Sequence, residues 1–201
     1  MKQHRFKLLV SLLMCLMIAS VYSWMKQEQP ALPAIKQAPD FKLSGLDGKP
    51  VQLHETDGKV RLVEFMFTSC PDICPMTTYN MVKIQNELKQ QQLWGTKVHF
   101  MSITFDPLQD TPEVFKAYGD KMGIDYSGWT LLTGTEQETA DVAKNFGVMV
   151  QKMPDGTFVH TVTSLMLVDT QGKIRKIYKM GDEMNNDEII ETIRQLAESS
   201  S

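Results

Sequence analysis

Cys70 and Cys74 stand four positions apart in Phe65-Met66-Phe67-Thr68-Ser69-Cys70-Pro71-Asp72-Ile73-Cys74-Pro75. Apart from Cys15, in an apolar N-terminal run, they are the only cysteines of the 201-residue chain. Two thiols at a turn can cycle between dithiol and disulfide, or hold a soft metal ion through thiolate donors. A purely structural disulfide is the weaker reading, because closing so short a loop removes little chain entropy. Three intervening residues also leave a wider loop than a two-residue redox motif, with room to present both sulfurs to one ion. A metal calls for a further donor, and imidazole is a natural companion of thiolates. Of the four histidines, His4 lies in the N-terminal run, His54 follows a hairpin and His99 sits between Val98 and Phe100 in a strand. His160, opening the run Thr161 to Val168, is the candidate third ligand.

The elements that must position these groups follow from periodicity and turn chemistry. Phe41, Leu43, Leu46, Val51 and Leu53 flank Asp47-Gly48, which predicts a β-hairpin. Lys59 to Phe67 is β-rich and apolar, as expected of a central strand buried on both faces; Glu64 is its exception, with no partner evident. Pro75 suits the opening turn of a helix, whose stripe is Met76, Tyr79, Val82, Ile84 and Leu88 to about Gln91. Cys74 in that turn would lie where the helix's positive end stabilises a thiolate. Val98 to Thr104 forms a second central strand, ended by Asp106-Pro107, and Thr111-Pro112-Glu113 opens a helix to Met122. Trp129 to Leu132 is a short strand, and Thr135 to Glu138 is a capping box for a helix ending at Phe146-Gly147. Strands then span Val148 to Gln151, Phe158 to Val168 and Lys173 to Lys179, with a turn at Asp169 to Gly172, before a helix capped by Asn186-Asp187.

Hairpin, β-α-β-α, β-hairpin and closing helix make an α/β chain of thioredoxin-like fold: a central mixed sheet flanked by helices, with an N-terminal β-hairpin. In such a fold the loop entering the strand after His160 packs against the cysteine turn. Thioredoxins place a cis-proline there, whereas this chain has no proline between Asp155 and Val168.

The flanks bound the setting. Lys2, Arg5 and Lys7 precede an uncharged run from Leu8 to Tyr22, so residues 1–24 read as a signal anchor or transmembrane segment that leaves the rest outside the cytoplasm. Residues 25–38 are polar and rich in Pro and Gln, a flexible tether, and 39–201 form the folded domain. Export would place the cysteine pair where it can oxidise. A net charge of −3 and pI near 5.8 offer no footprint for nucleic acid. The 14 methionines are scattered singly, Met66, Met81, Met101, Met122, Met149 and Met166 among them, and read as core filler.

Cys70-Pro71-Asp72-Ile73-Cys74-Pro75, followed by Asp106-Pro107-Leu108-Gln109-Asp110-Thr111-Pro112 and by His160 before an apolar strand, resembles the Sco/SenC proteins. The resemblance spans about Pro39 to Ala197, with Phe65-Met66-Phe67-Thr68 where many relatives have glycine and tyrosine. It implies a membrane-tethered copper protein that assists assembly of the binuclear copper centre of cytochrome c oxidase, with one copper ion, Cu(I) or Cu(II), on Cys70, Cys74 and His160. Oxidation to a Cys70–Cys74 disulfide would abolish binding, which links metal loading to thiol redox state. The implied partners are the oxidase's copper-bearing subunit, a copper donor and a thiol reductant. Asp72 and Asp106 are candidates for groups around the ligands, turn formation being the competing role; for Asp110, capping is the preferred role. Such a protein binds and transfers without enzymatic turnover. The alternative is a thiol-disulfide oxidoreductase or peroxidase, with Cys70 attacking and Cys74 resolving.

Overall fold

The computed structural model describes residues 13–18, 20, 32–153, 158–160 and 164–199, with the backbone alone for 151–152 and 158–160. The chain divides into two compact units, Met1–Pro33 and Ala34–Ser201. In the first, residues 13–18 are helical and exposed, Cys15 among them. No helix among the described residues is long and apolar enough to cross a membrane.

The second unit is built on ten strands: β1 (Lys36–Gln37), β2 (Lys42–Gly45), β3 (Pro50–Gln52), β4 (Val60–Met66), β5 (Val98–Thr104), β6 (Trp129–Thr133), β7 (Val150–Lys152), β8 (Phe158–His160), β9 (Ser164–Val168) and β10 (Lys173–Lys179). Its helices are α1 (Ile73–Gln90), α2 (Pro112–Met122), α3 (Glu136–Phe146) and α4 (Asn186–Glu198). Eight strands form one sheet in the order β1-β10-β9-β4-β5-β6-β2-β3, while β7 and β8 pair separately. β4, β5 and β6 run parallel and the outer pairings are antiparallel, so the sheet is mixed. All seven residues of β4 are buried, because β4 lies between β9 and β5 with helices over both faces. α1 packs on α2 and α4 on one side, while Phe146 of α3 meets Phe65 on the other at 5.4 Å between ring centroids. This is the expected thioredoxin-like architecture.

Local chemistry sets the boundaries. Gly48 takes the positive φ of the β2–β3 turn. The Thr135 hydroxyl and the Glu138 carboxylate close a reciprocal capping box on α3, which ends at left-handed Gly147 (φ 85°).

Several expectations change. The tether does not reach Ala38: β1 pairs with β10, and the folded unit begins at Ala34. α1 begins at Ile73, so Pro75 is its third residue, and it buries Cys74, Thr77, Thr78, Met81, Ile84, Gln85 and Leu88. Met76 and Tyr79, placed inward by hydropathy, are exposed, because the inward polar groups all find partners: Gln85, for instance, bonds Gly123 O at 3.1 Å and Asp125 N–H at 2.8 Å. The strand expected from Phe158 to Val168 is two strands in different sheets, β8 facing β7 and β9 seated between β4 and β10. Residues 161–163 lie outside the described ones. Met66, Met81, Met101 and Met166 are core as expected, but Met149 is 70% exposed, turned outward after buried Val148.

Candidate dithiol and metal site

The cysteine turn hangs between the end of β4 and the start of α1, beyond the carboxyl ends of the parallel strands, where α/β sheets place their sites. Three contacts brace it. Phe67 O accepts the Cys70 N–H at 3.3 Å, closing the turn. Asp110, in the loop between β5 and α2, accepts the Thr68 backbone N–H at 3.2 and 3.1 Å through its two oxygens, and the Thr68 and Thr104 hydroxyls as well. The Thr77 hydroxyl accepts the Gly181 N–H at 2.8 Å, pinning the start of α1 to the segment after β10. Phe67 and Phe105 pack at 5.1 Å and form an apolar patch next to the turn.

Cys70 and Cys74 are both buried, 8% and 1% exposed, and no disulfide joins them. The Cys74 backbone N–H donates to Cys70 Sγ at 3.5 Å. The positive end of α1 therefore serves the first cysteine, not Cys74 as its place in the helix suggested. Cys74 itself goes the other way: its hydrogen bond to the Cys70 sulfur, its burial and the nearby Glu64 charge all push its thiol up. Cys70, with the helix N–H aimed at its sulfur and the greater exposure of the two, is the one placed for attack or metal capture first.

The remaining candidates fall in different places. Asp72 is the exposed N-cap residue of α1, and its side chain makes no capping bond. Asp106 is buried, its backbone N–H held by the Thr104 hydroxyl at 3.0 Å and its carbonyl accepting the Asp110 N–H. Asp110 is no helix cap: Thr111 caps α2, and the Asp110 carboxylate holds the cysteine turn instead. Sequence spacing could not show this, because its partner Thr68 lies 42 positions away. His54 pairs with exposed Asp40 at 2.7 Å, and His99 bonds the Thr130 hydroxyl at 2.8 Å, so both have structural roles. His160 ends β8 opposite Val150 in register, and its side chain lies outside the described ones. Among the described residues no group of three His, Cys, Asp or Glu side chains could hold a metal ion; the structure brings together the two cysteines. Their donor set, two adjacent sulfurs with one backbone donor, fits a soft metal as well as a disulfide.

Comparison with known proteins agrees with this geometry. The SCO1/SenC family profile matches residues 29–198. A crystal structure of a SCO1/SenC family lipoprotein from Bacillus anthracis superposes with a TM-score of 0.73 at 35% identity, covering 81% of this chain and 95% of that one. BsSco, described as having a disulfide switch and as a member of the Sco family of cytochrome c oxidase assembly proteins, gives 0.71 at 29% identity, covering 82% and 95%. Arabidopsis thaliana ScoI, solved with copper bound, gives 0.66 at 27%, covering 79% and 98%. With the profile spanning nearly the whole folded unit and the dithiol turn in place, the chain belongs to the SCO1/SenC family.

Proposed function

We propose that this chain is a membrane-anchored, extracytoplasmic copper protein that assists assembly of the binuclear copper centre of cytochrome c oxidase, by copper delivery, by thiol reduction, or both. The observation that carries the reading is the pair of thiols braced at one turn, with the helix N–H on Cys70 Sγ. Copper-bound ScoI and the oxidase-assembly description of BsSco supply the metal and the target. The copper, one ion per chain as cargo, would be held by Cys70, Cys74 and His160. Two thiolates suit Cu(I), and an imidazole extends the set to Cu(II). Asp72 and Asp106 are assigned to the surroundings of the ligands. Residues 1–24 would be the anchor, in keeping with the lipoprotein description of the Bacillus anthracis relative. A copper donor, a thiol reductant and the oxidase's copper-bearing subunit are the partners.

Copper titration of the chain from Ala34 onward, wild type and His160→Ala, tests the ligand set. The variant should bind at least about tenfold more weakly, with an altered spectrum; unchanged affinity and spectrum would remove His160 from the site. Turnover of a disulfide or peroxide substrate without copper binding would replace the reading with a thiol oxidoreductase. Deleting the gene and assaying oxidase activity separates the two routes: rescue by added copper supports delivery, and failure supports thiol reduction.

A further inference from the structure

Thr77 lies one helical turn after Ile73 in α1 and has no exposed surface. Hydroxyls in helices commonly turn back onto the carbonyl four residues earlier, and Thr77 Oγ donates to Ile73 O at 2.7 Å. This hydroxyl also has a partner from far along the chain. Its oxygen accepts the Gly181 N–H at 2.8 Å, across 104 positions of sequence. Gly181 is buried at the opening of a short 3-10 turn and is held from its other side too, because Asn80 Nδ2 donates to its carbonyl at 2.9 Å. Its φ is 70°, and a Cβ on it would stand 3.1 Å from Ile73 Cγ1. Glycine is what lets this amide come so close to α1.

The Ile73 carbonyl and the Cys74 N–H belong to one planar peptide unit. On one side its carbonyl takes the Thr77 hydroxyl, and on the other its N–H donates to Cys70 Sγ at 3.5 Å. One hydrogen-bonded chain therefore runs from the Gly181 N–H, through the Thr77 hydroxyl and the Ile73–Cys74 peptide, to the sulfur of Cys70. Every bond in it points the same way, and in a buried setting such bonds polarise one another. Thr78, the next residue of α1, is the contrast. It is equally buried, and its Oγ donates to the Cys74 carbonyl at 3.0 Å. That carbonyl belongs to the peptide of Pro75, which has no N–H to carry the orientation further.

We propose that Thr77, backed by Gly181, is a positioning residue for Cys70: it holds the plane of the Ile73–Cys74 peptide so that its N–H addresses the Cys70 sulfur. The inference rests on the copper reading above, in which Cys70 is one of the donors. A sulfur tethered by a fixed N–H keeps one orientation when it takes up a metal, and partners behind the ligands set affinity in this way. Gly181 thus ties the segment after β10 to the cysteine turn through a single hydroxyl.

The test uses the full chain. In the copper-free, reduced protein, amide NMR reads the Cys74 and Gly181 N–H groups. Thr77→Val, of nearly the same shape without the hydroxyl, should move both resonances and quicken their hydrogen exchange by about tenfold, the weight of one hydrogen bond. Thr77→Ser should restore both. In copper titrations the Val variant should bind about tenfold more weakly, with a shifted sulfur-to-copper absorption band, and the Ser variant should match the wild type. Thr78→Val also loses a buried hydroxyl, and should lower the melting temperature while leaving the Cys74 amide and the copper spectrum near those of the wild type. An unchanged Cys74 amide or copper spectrum in Thr77→Val, or an equal change in Thr78→Val, would overturn the assignment. If Thr77→Val does not fold, exchange of the wild-type Cys74 amide decides. Protection supports the chain of bonds, and exchange at the rate of an unstructured peptide removes it. A wild-type chain that binds no copper brings down the copper reading and this inference with it. Copper binding that ignores Thr77→Val brings down the inference alone.

Discussion

At the scale of single residues, the dithiol turn owes its shape to Asp110. Its carboxylate is fully buried and accepts one backbone N–H and two hydroxyls. Burial raises its proton affinity while these three donors pull it back down. Removing the acceptor leaves three buried donors unmet, and Asp110→Ala should cost about 2–4 kcal/mol in urea unfolding. The same change frees Thr68, two residues before Cys70, so alkylation of Cys70 should quicken by more than the loss of global stability explains. An Asp110→Ala chain that keeps wild-type alkylation kinetics would show that the turn is held by other contacts. Cys70 and Cys74 illustrate the same point in another way: their difference comes from which sulfur receives the Cys74 N–H, a matter of turn geometry.

Among the elements, β1 is the one composition hides. Lys36 and Gln37 are polar and exposed, yet Ile35 N–H donates to Ile174 O and Ala38 N–H to Gly172 O, each at 2.8 Å, covering the edge of β10. An uncovered edge is both less stable and prone to pairing with other chains. A chain starting at Pro39 should therefore melt about 2–4 °C below one starting at Ala34, in line with a loss of about 1 kcal/mol, and should aggregate sooner. Equal melting temperatures would return residues 34–38 to the tether. α1 makes the complementary case. Its inward face carries Thr77, Thr78 and Gln85, which hydropathy assigns to solvent, because each is satisfied by another element: Gly181, Tyr118, and Gly123 with Asp125.

For the molecule as a whole, the sheet separates two electrostatic ends. Glu64 and the acidic loop after β5 lie with the dithiol, whereas Lys59, Arg61 and His99 cluster towards the strands' amino ends. Burial, reinforced by the charges of Lys59 and Arg61, pushes the His99 imidazole down to about 4. The unfolded chain therefore takes up this proton at higher pH than the folded one, and stability falls as pH drops from the unfolded value near 6.5 towards 4. The His99 share is on the order of 2–3 kcal/mol. Denaturant unfolding of wild type and His99→Gln from neutral pH downward should show the two stability curves converging by about that amount. Parallel curves would mean His99 protonates freely in the folded state.

Much of this was legible in the chain alone because it is encoded locally. Alternation and apolar runs marked β4 and β5; Thr135 with Glu138, and Gly147 after α3, marked helix ends; the cysteine motif, with its downstream Asp-Pro and His160, marked the family. What stayed hidden was long-range pairing. That Asp110 holds Thr68, that β1 closes the β10 edge, that Phe158–His160 and Ser164–Val168 join different sheets, and that Glu64 meets Ser102 all depend on which distant segments meet. Residue type and spacing thus determined the kind of chemistry available, two thiols at a strand-to-helix turn. Only the tertiary structure decided which sulfur faces the positive end of the helix, because that depends on the direction of one backbone N–H.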